Sequence, residues 1–248
     1  MKDALALIGY GRFGSLTAHH LKEYFHVLVF DSRKSIRLER GLRRCTFREA
    51  ARCSTIILAV PISSLQSVLR KLSPQIRPKT LIIDVCSVKV APIRWMKELL
   101  PPTAHILGTH PLFGPDSAST TLHGRSIVLC PTRIPHQMFS GISTGLRKAG
   151  LSVSIMTPNR HDLAMARSLF LTQFLGRGLG TRFIRSEIPA TENYNMLRRI
   201  ILTSMLDSRQ LLNDMYRFNS HSRTIPRQIQ QSIRRQSRNL RSSARRSR

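Results

Sequence analysis

Acidic residues are scarce in this chain. It has 13 aspartates and glutamates against 40 lysines and arginines, a formal net charge of +27 over 248 residues. This balance favours anionic partners, whether a nucleic acid, a phospholipid surface or a small polyanionic molecule. Aromatic residues make up only 6%. Because there is no zinc-finger spacing and no basic patch interleaved with aromatics, specific nucleic-acid recognition is disfavoured.

Cysteines and long apolar runs are also scarce. The four cysteines, at 45, 53, 86 and 130, show no CxxC or metal-ligand spacing, so we expect small buried thiols in a reducing compartment and no metal. No run is long enough to cross a membrane. The first strand-like run starts almost at Met1, which leaves no room for a signal peptide. We therefore expect a cytoplasmic protein with no membrane association.

The hydrophobic content of 41% is enough for a real core, and its first segment has a distinctive order. An apolar run over Ala4–Ile8 is followed by Gly9, Gly11 and Gly14 in a GxGxxG spacing, then by a helix-like stretch. In a dinucleotide-binding βαβ unit, the first glycine makes the tight turn. The second lets the backbone approach the pyrophosphate, and the third allows close helix–strand contact. The alternative is an empty structural βαβ unit.

Asp31 strengthens the dinucleotide interpretation, because it closes the second apolar run 17 residues after Gly14. A carboxylate there accepts hydrogen bonds from the ribose hydroxyls of NAD and repels a 2′-phosphate. We therefore predict NAD as the cofactor. NADP is the alternative, because Arg33 follows two residues after Asp31. The predicted cofactor-binding residues are Gly9, Gly11, Phe13, Gly14, Asp31, Ser32, Arg33, Val60 and Pro61.

Strand-like and helical segments alternate through the first 157 residues. The strand-like runs are Ala4–Ile8, Val27–Phe30, a short one near Cys45, Thr55–Val60, Thr80–Val85, Ala104–Leu107, Ser126–Cys130 and Leu151–Ile155. Alternation of this kind predicts an α/β domain of Rossmann type, a doubly wound and mainly parallel sheet. In the strand order 3-2-1-4-5-6, the fifth and sixth strands are neighbours, and the loops after them face the nicotinamide half of the crevice.

After Thr157 and Pro158 the strand signals stop. Helical patterns cover 161–182, 191–218 and 225–240, so we predict a dinucleotide-binding domain over 1–157, a helical domain over 158–240 and a disordered basic tail over 241–248. In the last helical pattern, Ile225, Ile229, Ile233 and Leu240 form a narrow apolar stripe. The stripe packs either on its own domain or across a dimer.

Two short motifs follow the fifth and sixth strands. DVCSVK places Ser87 and Lys89 after the fifth, and GTHPLFGPDSA places His110 after the sixth, in a loop that we expect Pro111 to stiffen. A neutral imidazole, with a pKa of about 6.5, is suited to accept a hydroxyl proton when a hydride leaves the same carbon. Ser87 orients the ring or bonds the same hydroxyl. Lys89 either attracts a substrate carboxylate or is a solvated lysine at the start of a helix.

The chain resembles the prephenate and arogenate dehydrogenases of tyrosine biosynthesis. The resemblance spans most of the chain, and its segments occur in the family's order: IGYGRFG, AVPISSLQSVL, DVCSVK, GTHPLFGPDSA, HDLAMARSLFLTQFLGRGL and DSRQLLNDMYRFN. DVCSVK together with THPLFGPDSA is the specific pair. The glycine motif indicates only a class.

The resemblance implies an N-terminal dinucleotide-binding domain, an all-helical C-terminal domain that dimerises, and oxidative decarboxylation of a small dianionic substrate. Hydride passes from the ring carbon to NAD(P)⁺ and the ring carboxylate leaves as CO₂. By this resemblance, His110 matches the catalytic histidine and Ser87 the serine beside the substrate hydroxyl. Lys89 matches the lysine of the same motif and is predicted to bind the substrate. Thr172 and Gln173 fall on the helix where the family places substrate-contacting polar residues.

Some positions depart from the family's pattern. Gln173 stands where many members have histidine, and no arginine anchored by a motif matches the one that binds the ring carboxylate. The candidates for that role, by charge and domain, are Arg177, Arg198, Arg199 and Arg209, and the sequence does not distinguish among them. His161 and Asp162 fit an HD pair of the family, although a helix dipole by itself explains an acid in a first turn.

The sequence therefore leaves three candidate functions. The first is an NAD-dependent prephenate dehydrogenase, and the second an arogenate dehydrogenase, which differs only in the side-chain group of its substrate. The third is a weakened family member whose arginine-rich end binds nucleic acid non-specifically or an acidic partner. From His221 to Arg248 that end has nine arginines and no acid.

Overall fold

The structure is a computed structural model that describes residues 3–184 and 189–246. The chain divides into two compact units, Met1–His161 and Asp162–Arg248. The division lies within one helix. The functional roles assigned to 1–157 and 158–240 stay predictions.

The first unit is built on an eight-stranded sheet. Its strands are β1 (Ala4–Ile8), β2 (His26–Phe30), β3 (Arg43–Arg44), β4 (Thr55–Leu58), β5 (Leu81–Asp84), β6 (His105–Pro111), β7 (Ser126–Arg133) and β8 (Ser152–Ile155). They lie in the order β3-β2-β1-β4-β5-β6-β7-β8, and all pairs are parallel except β6 with β7. This confirms the predicted doubly wound, mainly parallel fold.

Six helices accompany the sheet. They are α1 (Arg12–Leu21), α2 (Phe47–Ala51), α3 (Ile62–Leu72), α4 (Val90–Leu99), α5 (Pro115–Ala118) and α6 (His136–Lys148). In α3, Ile62, Leu65, Leu69 and Leu72 are buried at helical spacing, so an apolar stripe holds the helix on the sheet. Thr46 caps α2 by accepting the backbone N–H of Glu49, whose side chain reaches back to the N–H of Thr46.

Apolar strand residues form two clusters in the core of this unit. One joins β1, β2 and β4 through Leu5, Leu7, Val27, Val29 and Ile57. The other joins β5 to β8 through Leu81, Leu107, Ile127, Leu129, Leu151 and Val153. Nearly continuous Val, Ile and Leu runs are what a parallel strand covered on both faces requires.

The sixth strand differs from its prediction. β6 continues to Pro111, so His110 lies within a strand and not in the loop after it. The cause is the antiparallel partner β7, which sets Val128 opposite His110 and Ile127 opposite Pro111. Pairing with a later segment of chain extends β6, and the local proline signal could not show this.

Helices make up the second unit. α7 (Pro158–Met165) contains the division between the units and is followed by a π-helical turn over Ala166–Phe170, α8 (Leu171–Leu179) and a 3₁₀ turn over Thr181–Phe183. Then come α9 (Glu192–Leu206), α10 (Arg209–Phe218), a 3₁₀ turn over Ser220–Thr224 and α11 (Ile225–Arg246). Phe170 stacks on Phe174 and on Tyr216, with ring centroids 6.0 and 6.1 Å apart.

Two boundaries in this unit correct the sequence-based ones. The helix predicted over 191–218 is broken between α9 and α10, where Asp207 is extended and Ser208 caps α10 by accepting the N–H of Leu211. The tail predicted as disordered from 241 is helical to Arg246, because no glycine or proline interrupts α11 after Pro226. Residues 247 and 248 of that tail lie outside the described residues.

The apolar stripe of α11 is only partly covered. Ile225 is buried, whereas Ile233 is 58% and Leu240 63% exposed. Throughout the described ranges, no helix is long and apolar enough to cross a membrane.

Candidate active site

The glycine loop between β1 and α1 has the geometry that its spacing predicts. Gly9 has a φ of +100°, and a Cβ there would overlap the carbonyl oxygen of Ala59. A Cβ on Gly14 would overlap the carbonyl oxygen of Gly9, so α1 starts in direct contact with the turn. Both positions need glycine because the backbone leaves no room for a side chain.

Gly11 is different, because a Cβ there would meet no protein atom within 4 Å. Its φ of −75° is open to any residue, and it is the N-cap of α1, whose first turn has no acid. Open space at the positive end of a helix fits a pyrophosphate. The residues present therefore fit a dinucleotide.

Asp31 lies at the end of β2, beside this loop. Its carboxylate accepts the backbone N–H of Tyr10 at 2.7 Å and that of Arg33 at 2.9 Å. The Arg33 guanidinium donates to both carboxylate oxygens, at 2.9 and 3.0 Å. The hydrogen bonds from Arg33 and Tyr10 outweigh burial and lower the pKa of Asp31 to about 2. Asp31 is thus an anion at neutral pH, and Arg33 balances its charge.

An open pocket of about 580 Å³ adjoins this ion pair. Gly11 and Arg12 line it from the start of α1, and Arg33, Ser35 and Arg37 line it from the chain after β2. Arginines at this place can accommodate the 2′-phosphate of NADP, whereas Asp31 suits the free ribose of NAD. The pocket and the adjoining Asp31 thus present groups suited to each cofactor.

The remaining predicted cofactor residues occupy the same edge of the sheet. Phe13 is in the first turn of α1, with its ring centroid 6.4 Å from that of Phe113, and Ser32 is exposed directly after Asp31. Pro61 is the N-cap of α3, and Val60 precedes it. All come from loops or helix starts at the carboxyl ends of β1, β2 and β4, where open parallel sheets bind ligands.

A buried ion pair joins the ends of β5 and β6. Asp84 and Lys89 are both 0% exposed, and the Lys89 ammonium donates to Asp84 Oδ1 and, at 2.6 Å, to the carbonyl oxygen of Thr109. Thr109 Oγ1 donates to the carbonyl oxygen of Asp84 at 2.7 Å. These bonds fix the two strand ends to each other.

This network corrects the expectation for Lys89. An ammonium that is fully buried and paired with Asp84 is neither a solvated lysine nor open to a substrate carboxylate. The loop folds inward because Lys89 neutralises a carboxylate that the parallel sheet buries. Its role is to hold the segment that contains Ser87.

Ser87 is a buried hydroxyl without a partner. It is 7% exposed, and its Oγ makes no hydrogen bond within the described part of the chain. A buried polar group normally has a partner, and its absence costs about 1–3 kcal/mol. An unsatisfied hydroxyl after β5, beside the strand that contains His110, is suited to bond a ligand.

His110 is buried at 6% exposure and contacts a second buried histidine. Its Nδ1 lies 2.8 Å from Nε2 of His161, which is 0% exposed, and the two rings meet edge to face with centroids 5.0 Å apart. Burial, then the neighbouring His161 and Lys89, hold the pKa of His110 well below its usual value. His110 is therefore a neutral imidazole at physiological pH.

The two polar residues predicted in the helical unit are both engaged within that unit. Thr172 Oγ1 donates to backbone carbonyls of its own helix, at Ser168 and Leu169. Gln173 is buried, and its amide donates to Asp207 Oδ2 at 2.5 Å. Arg177 donates to Gln173 and to the carbonyl oxygen of Asp207. These contacts tie α8 to the break after α9, and substrate contact by Thr172 and Gln173 stays a prediction.

Sequence reasoning assigned no role to two residues of this site. Asp84 was available as the acid at the end of a buried strand, five residues before Lys89. His161 was noted only as half of an HD pair, and nothing local indicates that it lies against a histidine 51 residues earlier.

The sheet order, the glycine loop and the acid after β2 define the class, a nucleotide-binding α/β domain of the doubly wound type. The profile of one family, described as "Prephenate dehydrogenase, nucleotide-binding domain", matches residues 30–155, half of the chain. The chain belongs to this family.

Curated relatives lie within the same group. A probable arogenate/prephenate dehydrogenase of Methanocaldococcus jannaschii is 26% identical over 229 residues, which cover 86% of this chain and 51% of the relative. Arogenate dehydrogenase 2, chloroplastic, of Arabidopsis thaliana is 27% identical over 230 residues, 88% of this chain and 64% of the relative. The chain thus spans about half to two thirds of these relatives' length.

Solved structures share the fold. The prephenate dehydrogenase of Aquifex aeolicus, in complex with hydroxyphenyl propionate and NAD⁺, has a TM-score of 0.77 at 15% identity, covering 98% of this chain and 92% of that one. Synechocystis arogenate dehydrogenase has a TM-score of 0.60 at 21% identity, covering 95% and 99%.

Proposed function

We propose that this chain is an NAD-dependent prephenate dehydrogenase, which oxidatively decarboxylates prephenate to 4-hydroxyphenylpyruvate. Arogenate is the alternative substrate, since the two differ only in a keto acid against an amino acid. One observation carries the proposal: a neutral buried imidazole and an unpartnered buried hydroxyl come from adjacent strand ends, at the ligand edge of a nucleotide-binding sheet.

A bound nicotinamide would supply the acceptor for the hydride of the ring carbon that bears the hydroxyl. In the proposed reaction the ring carboxylate leaves as CO₂ and the ring becomes a phenol. As positive character develops on that carbon, Nε2 of His110 accepts the hydrogen bond of the ring hydroxyl. Ser87 Oγ bonds the same hydroxyl from the neighbouring strand end. A positioned base of this kind contributes about 10²–10⁴-fold in rate.

The surrounding residues control the charge of His110 and the positions of His110 and Ser87. Burial keeps His110 uncharged, so it can accept a proton at neutral pH. The bonds among Asp84, Lys89 and Thr109 fix the strand ends that contain Ser87 and His110. The chain's net charge of +27 attracts a dianionic substrate over long range.

The cofactor proposal rests on Asp31, which lies where the adenosine ribose binds in this fold. Its carboxylate is ionised and favours NAD. Arg33 balances that charge, so we expect measurable but weaker use of NADP.

Steady-state assays with prephenate and arogenate, each with NAD⁺ and NADP⁺, test the proposal through the absorbance of the reduced nicotinamide. Turnover of prephenate with NAD⁺ supports it, and turnover of arogenate alone selects the alternative. No signal in any of the four combinations refutes both dehydrogenase functions. The arginine-rich α11 would then make an anionic partner the next candidate.

His110→Asn tests the mechanism. We expect kcat to fall by about 10²–10⁴-fold with little change in NAD⁺ affinity. His105→Asn, at the opposite end of the same strand, is the matched control and should retain activity. If His110→Asn loses turnover and NAD⁺ affinity equally, the residue supports the fold and does no chemistry.

We further propose that the helical unit forms a homodimer. α9 exposes six large apolar side chains to between 37% and 56%, at Met196, Leu197, Ile200, Leu202, Met205 and Leu206. Exposed apolar side chains in this number on one helix mark an association surface. Sedimentation of the wild type and of Leu206→Glu tests this: a dimer that dissociates on substitution supports it, and a monomeric wild type refutes it.

A further inference from the structure

The contact between His110 and His161 has a chemical consequence, because two ring nitrogens 2.8 Å apart share one hydrogen. Either Nδ1 of His110 donates to Nε2 of His161, or the reverse. The choice decides which nitrogen of His110 is left with a lone pair, since the hydrogen bond at one ring nitrogen sets the protonation of the other.

We infer that His161 is a positioning residue, which accepts the Nδ1–H of His110 and leaves Nε2 of His110 as the proton-accepting atom. The inference rests on the proposed function, in which a neutral His110 acts as base. In the reverse arrangement Nε2 of a neutral His110 carries the hydrogen, so it can donate but cannot accept. A base oriented by a third group is the usual arrangement in enzymes that activate a hydroxyl.

The surroundings hold the two rings in this contact. His161 is held by its own helix, where its backbone N–H donates to the carbonyl oxygen of Thr157 at 3.0 Å, and its ring is fully buried. Within the described residues, the Nδ1 contact is the one side-chain hydrogen bond that His110 makes. His161 therefore fixes the direction of the His110 ring and, in the inferred arrangement, its tautomer.

The charged and titratable groups around His110 come from three sides. The end of β5 and the loop after it contribute Asp84 and Lys89, which neutralise each other. β7 sets the apolar Val128 opposite His110 and Cys130 opposite Gly108. α7 contributes His161. Burial, then His161 and Lys89, lower the pKa of His110, which keeps the shared hydrogen the only one between the rings.

Histidine tautomers can be read directly by NMR. Long-range correlation spectra of protein labelled with ¹⁵N-histidine distinguish Nδ1–H from Nε2–H, and His110→Asn identifies the His110 signals among the nine histidines. We expect the Nδ1–H form of His110 in the wild type. In His161→Leu we expect a substantial population of the Nε2–H form, because the acceptor is gone.

Kinetics supply the second readout. His161→Leu should lower kcat by about 10–100-fold, the cost of a misplaced catalytic group, with the KM for NAD⁺ unchanged. His161→Gln, whose amide oxygen reaches about as far as Nε2, should retain the Nδ1–H tautomer and most of the activity. His161→Asn is too short to reach and should behave like the leucine variant, which keeps the test available if His161→Leu does not fold. His136→Gln, exposed at the start of α6, is the control.

The outcomes distinguish a failure of this inference from a failure of the proposed function on which it rests. An Nε2–H tautomer of His110 in the wild type, or leucine and asparagine variants that leave both tautomer and kcat unchanged, would overturn the role of His161. An inactive wild type would refute the proposed function, while the tautomer measurement would still decide which ring donates.

Discussion

Replacing Lys89 by methionine would test the buried ion pair most directly. Methionine keeps the length and most of the volume of the side chain but removes the ammonium. Asp84, 0% exposed, would then keep the backbone N–H of Cys86 at 3.0 Å, while its Oδ2 makes no hydrogen bond in the described part of the chain. An uncompensated buried carboxylate remains.

The expected loss of stability is large. Removing one partner of a buried pair typically costs about 3–5 kcal/mol. With a urea m-value of about 2 kcal/mol/M, this corresponds to a fall of about 1.5–2.5 M in the unfolding midpoint. Loss of the bond to Thr109 also removes one of the links between the ends of β5 and β6, so we expect activity to fall with stability.

The assay is urea unfolding followed by tryptophan fluorescence. Trp95 is the only tryptophan and is buried on α4, so the signal reports the first unit. Lys97→Met, exposed on the same helix, is the control, and we expect a change within about 0.5 kcal/mol. The double variant Asp84→Asn with Lys89→Met should recover most of the loss, since no charge is left buried. A Lys89→Met protein within about 1 kcal/mol of wild type would refute the argument.

Three further predictions concern the nucleotide loop, cofactor choice and pH. Gly11→Ala should weaken NAD⁺ binding without changing Tm, because the added Cβ meets no protein atom within 4 Å. Gly14→Ala should lower Tm, because its Cβ would overlap the carbonyl oxygen of Gly9. Calorimetry with and without NAD⁺ checks both variants, and equal effects would contradict the geometry. Arg33→Ala should raise the pKa of Asp31 from about 2 toward 3.8, which NMR titration measures. The same variant should lose more affinity for NADP⁺ than for NAD⁺. An unchanged ratio of the two affinities would show that Arg33 does not determine the selectivity. Below pH 6.5, the ordinary pKa of histidine, His110 stays neutral in the folded state while the same residue in the unfolded chain takes up a proton. The free energy of unfolding should therefore fall as the pH drops below about 6.5, by up to about 1.4 kcal/mol per pH unit. Urea unfolding across this range should show a shallower fall in His110→Asn, and an equal slope would count against a buried neutral ring.

Much of the nucleotide-binding half could be predicted from sequence because its signals are local. Gly9 and Gly14 are needed for backbone reasons that arise within one βαβ unit, and Asp31 follows directly from the end of β2. The strand order also followed from the alternation of strands and helices, since parallel strands need crossover helices.

Errors arose where a distant segment decides the local structure. The strand around His110 is lengthened by pairing with β7. Lys89 was predicted to attract a substrate carboxylate or to be a solvated lysine, whereas the structure pairs it with the buried Asp84. The break at Asp207 was hidden in a continuous helical pattern, because its cap is a serine within that pattern.

The order of residues alone therefore determined the class of fold, the nucleotide loop, and the presence of a serine and a histidine after neighbouring strands. The tertiary structure alone decided that Lys89 is buried, that the Ser87 hydroxyl has no partner among the described residues, and that His110 lies against His161. The physical reason is range: turn chemistry and hydrophobic periodicity act over a few residues, whereas burial, charge pairing and tautomer depend on which distant groups the sheet brings together.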